Sequence, residues 1–237
     1  MAEATDDRGL AGKVAIVTGG GAAGDGIGNG RTVEMIGGEG GTAAACAADV
    51  TDEAQCRAMV ETALARFGRL DFLDNNVGIG SRGSVVKLPP ADWRRVMQVN
   101  VESMYLTAKH AIPAMIASAG GGAIVNLSSI SALRPRGLTA YTVSKGAVIA
   151  LTRAMLVDHG PDNIRVNCVA PGPVYTPMVY AHGMQPAARE ERRRASVLGR
   201  EGTGWDIGQA VCFLLSDASS YITGQHLAVN GGFHISV

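Results

Sequence analysis

Along the chain, short apolar runs that end in glycine or asparagine alternate with longer stretches of helical spacing. Residues 13–20, KVAIVTGG, are a β-branched run that stops at glycines, the pattern of a parallel strand buried on both faces. Residues 69–78 (RLDFLDNNVG), 121–129 (GGAIVNLSS), 163–172 (NIRVNCVAPG) and 226–232 (HLAVNGG) repeat it. Residues 41–50 (GTAAACAADV) repeat it more weakly, the run ending at Asp49. Helical spacing occupies residues 51–67, with Ala54, Ala58, Leu64 and Phe67 on or near one face, and residues 139–159 and 205–216. Residues 92–117 read as one long helical segment in which Pro113 predicts a kink or a break. Strands alternating with helices predict an α/β fold, a doubly wound parallel sheet covered on both faces. No repeat or low-complexity linker divides the chain, so residues 1–237 read as a single domain.

Composition narrows the function. Lys plus Arg and Asp plus Glu both number 21, and this zero net charge gives no electrostatic footprint for nucleic acid or an anionic membrane. No apolar run reaches the length of a membrane span, and the opening MAEATDDRGL is too polar for a signal peptide; a cytoplasmic protein is expected. Cys46, Cys56, Cys168 and Cys212 show neither CxxC spacing nor a Cys/His cluster, so reduced, mostly buried thiols and no metal site are expected. The charge run REERRRAS, within the stretch 175–198, reads as a solvated helix face or as part of a lid over a substrate site.

Three groups of residues carry chemistry. TGGGAAGDGIG, residues 18–28, follows a strand and opens a helical stretch, where glycines let the backbone approach a pyrophosphate and a helix N-terminus favours its charge. The absence of GxxxxGK[ST] disfavours a P-loop NTPase. In YTVSK, Tyr141 and Lys145 share one helix face, and a nearby ammonium would favour the phenolate. In NLSS, Ser129 stands 12 residues before Tyr141, at a strand end, and could donate a hydrogen bond to a carbonyl oxygen that the tyrosine protonates. Asn100, polar within an otherwise amphipathic helix, could bend that helix, hold a water or bond back to its own backbone. NNVG (residues 75–78) and APGPVYT (residues 170–176) both follow strands, on the side where open α/β sheets bind ligands.

In this order and on these elements the motifs resemble the short-chain dehydrogenase/reductase family, over residues 10–232. The resemblance implies a Rossmann fold, a nicotinamide cofactor (NAD slightly favoured over NADP), and hydride transfer between that cofactor and a secondary alcohol or ketone. It implies that Tyr141 is the general acid/base, that Lys145 lowers the tyrosine's pKa and holds the nicotinamide ribose, and that Ser129 polarises the substrate oxygen. Asn100 would anchor a water in a proton relay. Gly19, Gly26, Ile27 and Gly28 would form the pyrophosphate turn. Asp49, Val50, Asn76, Val77 and Gly78 would line the adenosine side, and Pro171, Gly172, Val174 and Thr176 the carboxamide side. A homotetramer is the family's usual assembly. Two spacings depart from the family pattern. The glycine loop is longer by three, and the serine-to-tyrosine interval is shorter by one, which leaves Ser128 as a second candidate although the NxxS register favours Ser129.

A third departure lies in residues 24–41, GDGIGNGRTVEMIGGEGG. Between the glycine-rich turn and the next strand the fold normally places two crossovers and a strand, roughly 30 residues or more. Only 13 positions lie from Gly28 to Gly41 (41 − 28). The flanks match the start of a first helix and the end of a second, so about two dozen residues near Arg31 and Thr32 are missing relative to the pattern, with the strand that distinguishes NAD from NADP. Residues 41–50 would then either slide beside the first strand or keep their place across a gap. Unpaired buried strand groups favour an omission or a disordered segment over a repacked sheet. The loss also keeps alive a catalytically silent binding or assembly protein. An amidase or esterase built on Ser129 lacks a GxSxG elbow and a positioned histidine.

Overall fold

The computed structural model describes residues 9–20, 29–180 and 183–233. Five strands form one parallel sheet in the order β1-β2-β3-β4-β5: β1 (Ala15–Val17), β2 (Phe72–Asn75), β3 (Gly122–Leu127), β4 (Ile164–Pro171) and β5 (His226–Val229). The helices are α1 (Asn29–Gly38), α2 (Glu53–Phe67), α3 (Pro90–Met97), α4 (Ser103–Ala119), α5 (Thr139–His159), α6 (Pro177–Tyr180), α7 (Pro186–Ala195) and α8 (Gly204–Leu215).

The period-two alternation of the strands sorts the core into two layers. Leu73, Ile124 and Val166 face α2, α4 and α5, meeting Met59, Val60, Ala111, Ile112 and Met155. Phe72, Val125, Leu127 and Val169 face the other way and pack on Val211, Leu214 and Leu215 of α8. The sheet therefore has helices on both faces, as the alternation predicts. The buried face of α2 is Cys56, Met59, Val60 and Ala63; of the predicted face, Leu64 packs against the same core layer and Phe67 is half-buried, while Ala54 and Ala58 are exposed.

Residues 41–50 do not form the predicted strand. This alanine-rich run has weak β propensity, and it has not slid beside the first strand: it pairs with no described strand, and β1 is an outer strand of the sheet. None of its residues is buried, although Ala48 leans on the first core layer. The chain passes through Arg31 and Thr32 as one helix, α1, in which no described residue is buried. The remnants of two helices thus read through as one. Beside β1 the sheet is thinly covered, and Val17 is 53% exposed.

The long helix is interrupted at Asn100, not at Pro113. Gln98–Glu102 forms a π-helical turn between α3 and α4, while Pro113 sits within an unbroken α4. Pro113 is on the exposed side, where the Lys109 carbonyl it leaves without a donor can turn to water. The wider turn at Asn100 lets its buried amide reach across to the loop after β2. Of the cysteines, Cys56 and Cys168 are buried, Cys212 is half-buried and Cys46 is exposed, so burial holds for only part of the set.

Candidate active site

β3 ends in two serines whose hydroxyls diverge. Ser128 Oγ donates to the Lys145 carbonyl at 2.7 Å and so ties the strand to α5. Ser129 Oγ accepts the Ser131 N–H at 3.1 Å, which leaves its proton to donate, and its partner is the Tyr141 phenol. The pairing with Tyr141 therefore belongs to Ser129.

Tyr141 and Lys145 lie one turn apart on α5, and the Lys145 Nζ stands 5.8 Å from the centre of the Tyr141 ring. Burial raises the Tyr141 pKa, against a lowering pull from the Ser129 hydrogen bond and the Arg136 charge. Burial pulls the Lys145 pKa down to about 8. The positive charge that acts on the tyrosine in this arrangement is Arg136, a residue missed in the motif reading. The signal was present in RPRG, residues 134–137, between the serine and the tyrosine.

The Lys145 Nζ makes one hydrogen bond, to the Leu127 carbonyl at 2.7 Å, and has donor capacity left over. Gly78 sits against it: a Cβ there would lie 3.2 Å from that nitrogen and 3.4 Å from Asn100 Oδ1. Asn100 neither bonds back along its own helix nor only bends it. Its Oδ1 accepts the Ile79 N–H at 2.7 Å, and its Nδ2 donates to the Ile79 carbonyl and to Ser144 Oγ, both at 3.0 Å. This clamp fixes the loop after β2 against α5.

A buried polar chain supports the floor of the site. Thr107 Oγ1 donates to Asn75 Oδ1 (2.6 Å), Asn75 Nδ2 to Asn126 Oδ1 (2.9 Å) and Asn126 Nδ2 to Thr152 Oγ1 (3.0 Å), crossing from α4 through β2 and β3 to α5. Asn75 and Asn126 could be located from NNVG and NLSS, but nothing in the sequence announced their mutual bond.

The predicted cofactor residues divide into two groups. Thr18, at the end of β1, accepts the N–H groups of Asn76 (3.0 Å) and Val77 (3.4 Å) and joins the first strand to the NNVG loop. Gly19, at φ 72°, lies beside Val77, where a Cβ would come within 3.3 Å of Val77 Cγ2. Gly172 donates to the Val229 carbonyl at 3.1 Å, and a Cβ on it would lie 2.7 Å from Asn230 Cα, so only glycine closes β4 against β5. Val174 is buried, and the Thr176 carbonyl receives the Val179 and Tyr180 N–H groups. Gly26, Ile27 and Gly28 lie outside the described residues. Asp49 and Val50 are not drawn into the cluster: the Asp49 carboxylate accepts the Thr51 N–H (2.9 Å) and Oγ1 (2.7 Å) in a turn before α2, and Val50 gives its carbonyl to Cys56 Sγ.

The REERRRAS run splits by face. Arg193 and Arg194 pair with Glu190, itself partly exposed, on the solvated side. Arg189 and Arg192 pair instead with the largely shielded Glu201, and Arg192 also donates to the Val174 carbonyl at 3.0 Å. A cavity of about 280 Å³, lined by Val85, Leu88, Pro90, Trp93, Arg94 and Thr139, opens beside the first turn of α5. Among the described residues no His, Cys, Asp or Glu cluster could hold a metal ion, and no helix is long and apolar enough to cross a membrane.

This sheet and this cluster define a class of protein, and comparison with known proteins agrees. A family model described as enoyl-(acyl carrier protein) reductase matches residues 24–234. The chain is 42% identical over 185 residues to trans-4-hydroxycyclohexanecarboxylate dehydrogenase of Sinomonas cyclohexanicum, covering 78% of this chain and 68% of that one. It is 39% identical over 204 residues to cyclopentanol dehydrogenase of Comamonas testosteroni, covering 86% and 81%. A solved structure described as a short-chain dehydrogenase/reductase from Burkholderia xenovorans superposes with a TM-score of 0.88 at 34% identity, over 96% of this chain and 98% of that one. The chain belongs to the short-chain dehydrogenase/reductase family and is an NAD(P)-dependent oxidoreductase of secondary alcohols and ketones. Two solved proteins that it resembles hold NADH and NADP respectively.

The residues present fit the nicotinamide half of such a cofactor. A buried ammonium with donors to spare beside a glycine that leaves it uncovered is a cradle for a ribose hydroxyl pair. On the adenosine side the described residues supply no comparable set.

Proposed function

We propose that Tyr141 is the general acid/base of a dehydrogenase acting on a secondary alcohol carried on a small ring, or on the matching ketone. Ser129 holds the substrate oxygen, Lys145 holds the nicotinamide ribose, and Asn100 positions the loop against which the cofactor lies. A nicotinamide held there would supply the hydride chemistry at the carbinol carbon, as acceptor in oxidation and donor in reduction. Tyr141 takes the hydroxyl proton in the first direction and gives it back in the second. The observation that carries the reading is the gathering of Ser129, Tyr141 and Lys145, with the Ser129 hydroxyl acting on the Tyr141 phenol, the Lys145 Nζ 5.8 Å from the centre of the Tyr141 ring and Gly78 against that nitrogen. Ring alcohols are the named substrates of the two relatives, and the apolar cavity beside α5 is a candidate wall for such a ring.

With its pKa above the ordinary phenol value, Tyr141 keeps its proton at neutral pH. Ketone reduction should run across the neutral range, while alcohol oxidation climbs towards alkaline pH as the phenol becomes able to accept a proton. Tyr141→Phe should lower turnover by about a thousandfold or more, within the range seen when a positioned acid/base is lost, and leave NADH or NADPH fluorescence titrations unchanged. Retained activity in that variant would sink the assignment.

The same proposal takes residues 1–237 as one domain and NAD as slightly preferred to NADP. It includes assembly as a homotetramer in the cytoplasm. Exposed apolar side chains on α4 and α5, Tyr105, Ile116, Val143 and Val157, support association through helix faces. Light scattering on the purified protein tests the subunit count.

A further inference from the structure

Arginines from two segments far apart in sequence gather around Arg136, whose charge reaches Tyr141. Arg134 and Arg136, just before α5, both lie over the Phe233 ring, their guanidinium carbons 5.0 and 5.4 Å from its centre. Arg189 and Arg192 come from α7; Arg189 lies 4.1 Å over Tyr175, and Arg192 is close enough for its charge to act on Arg136. Glu201 answers Arg189 and Arg192 together, one carboxylate for two guanidinium groups. Arg134 also donates to the Phe233 carbonyl at 2.8 Å. Arg136 has no carboxylate partner among the described residues, and its near neighbours are Arg134, Arg192 and the Tyr141 phenol.

Like charges gathered this closely repel one another, and an anion placed among them relieves the repulsion. A guanidinium lying over an aromatic face keeps its in-plane N–H donors free, and two of them match the two oxygens of a carboxylate. Arg136 is also within electrostatic reach of the oxygen that would handle the proton. We propose that Arg136 binds a carboxylate carried by the substrate at a distance from the reacting carbon. The inference rests on the proposed function and refines its substrate class: the enzyme acts on ring hydroxy acids or keto acids in preference to neutral ring alcohols.

The test compares a hydroxycyclohexane carboxylic acid with its carboxamide, which has the same shape and no charge. The wild-type enzyme with its cofactor should show a kcat/KM for the acid at least about tenfold above that for the amide, the scale of one charge-assisted hydrogen bond. Arg136→Gln should lower the acid's value about ten- to a hundredfold more than the amide's, the extra loss falling mainly on KM, while any change in kcat through Tyr141 is shared by both substrates. Arg136→Lys should recover part of the loss. Equal values for acid and amide in the wild type, or equal losses for both in Arg136→Gln, would overturn the proposal. Binding is measured alongside in Tyr141→Phe with reduced cofactor present, where catalysis does not intervene. There the acid should bind about tenfold tighter than the amide, and the difference should vanish in the Tyr141→Phe/Arg136→Gln double variant. Equal binding in Tyr141→Phe also overturns the carboxylate site. A Tyr141→Phe protein that still turns substrate over sinks the catalytic assignment instead, so the two failures stay distinct.

Discussion

The two ends of the sheet are built to different standards. Around β3, β4 and α5 a connected set of polar groups is buried and answered: Asn75, Asn126, Thr107 and Thr152 form one chain, and Asn100 meets both backbone groups of Ile79. Around β1, α1 and residues 41–50, only Ile16 and Thr18 are buried among the described residues. The difference follows from where the chain is short. Losing a crossover and a strand next to β1 removes partners from β1 and from residues 41–50. It removes none from β3, whose neighbours β2 and β4 lie further along the sequence. In a parallel sheet a strand's partners come through separate crossovers, so damage at one edge need not travel inward. The proposed chemistry sits on the side that kept its partners.

The largest test of this contrast is Asn100→Ala. The substitution strands the N–H and carbonyl of Ile79 in a buried site and opens a small cavity. A loss of about 2–4 kcal/mol is expected, the sum of two unsatisfied backbone groups and the missing side chain. Urea denaturation should show a lower midpoint at unchanged slope. Turnover should fall together with stability, because the loop that backs Lys145 is released. A loss below about 1 kcal/mol would mean that the well-built side is no better tied than the edge.

A smaller effect is expected at the one strong attachment of the edge. Asp71 accepts the Val14 N–H at 2.9 Å and both Arg69 donors, at 2.9 and 2.7 Å, and so fastens the chain just before β1 to β2. Burial works to raise its pKa, but the Arg69 and Val14 bonds win and hold it below the usual carboxylate value. A carboxyl lowered in the folded state binds fewer protons than in the unfolded chain, so its contribution is present above the unfolded pKa. That contribution is lost as the pH falls through the lower, folded value. Asp71→Asn should therefore cost about 1–2 kcal/mol near neutral pH and progressively less in acid, read from urea midpoints across the range. A gap that does not close in acid would assign the loss to packing instead.

How much of this was legible differs between the same two sides. Five strands and the helices 51–67, 139–159 and 205–216 follow from apolar period, because those elements keep the partners that the period presupposes, and the Ser129, Tyr141 and Lys145 cluster follows from the family resemblance of their motifs. Residues 41–50 carry a strand's pattern without a strand's partner, and pattern alone does not reveal that. Pro113 carries a breaker's reputation but sits on an exposed face where the helix tolerates it. The actual interruption, at Asn100, depends on a carbonyl and an N–H from Ile79, 21 positions earlier, which no local window contains. Arg136 was visible as a charge but not as a neighbour of Tyr141, since that proximity comes from the turn leading into α5.

The smallest expected effect is the most direct test of what the short edge has lost. In this fold the cofactor's adenosine ribose is read at the end of the second strand of the usual pattern, and no such strand stands beside β1 among the described residues. The remaining acidic candidate, Asp49, has its carboxylate occupied by Thr51 and lies exposed before α2. An exposed carboxylate in water disfavours a ribose phosphate only weakly, by about 1 kcal/mol or less. Separate fluorescence titrations should therefore give dissociation constants for NADH and NADPH within about tenfold of each other, the equivalent of about 1.4 kcal/mol. Asp49→Asn should narrow even that difference, and added salt should do the same, because screening acts on the same exposed charge. A preference of a hundredfold or more would break the comparison. It would mean that a discriminating group operates on the edge after all, and the contrast between a complete nicotinamide side and an unread adenosine side would no longer hold.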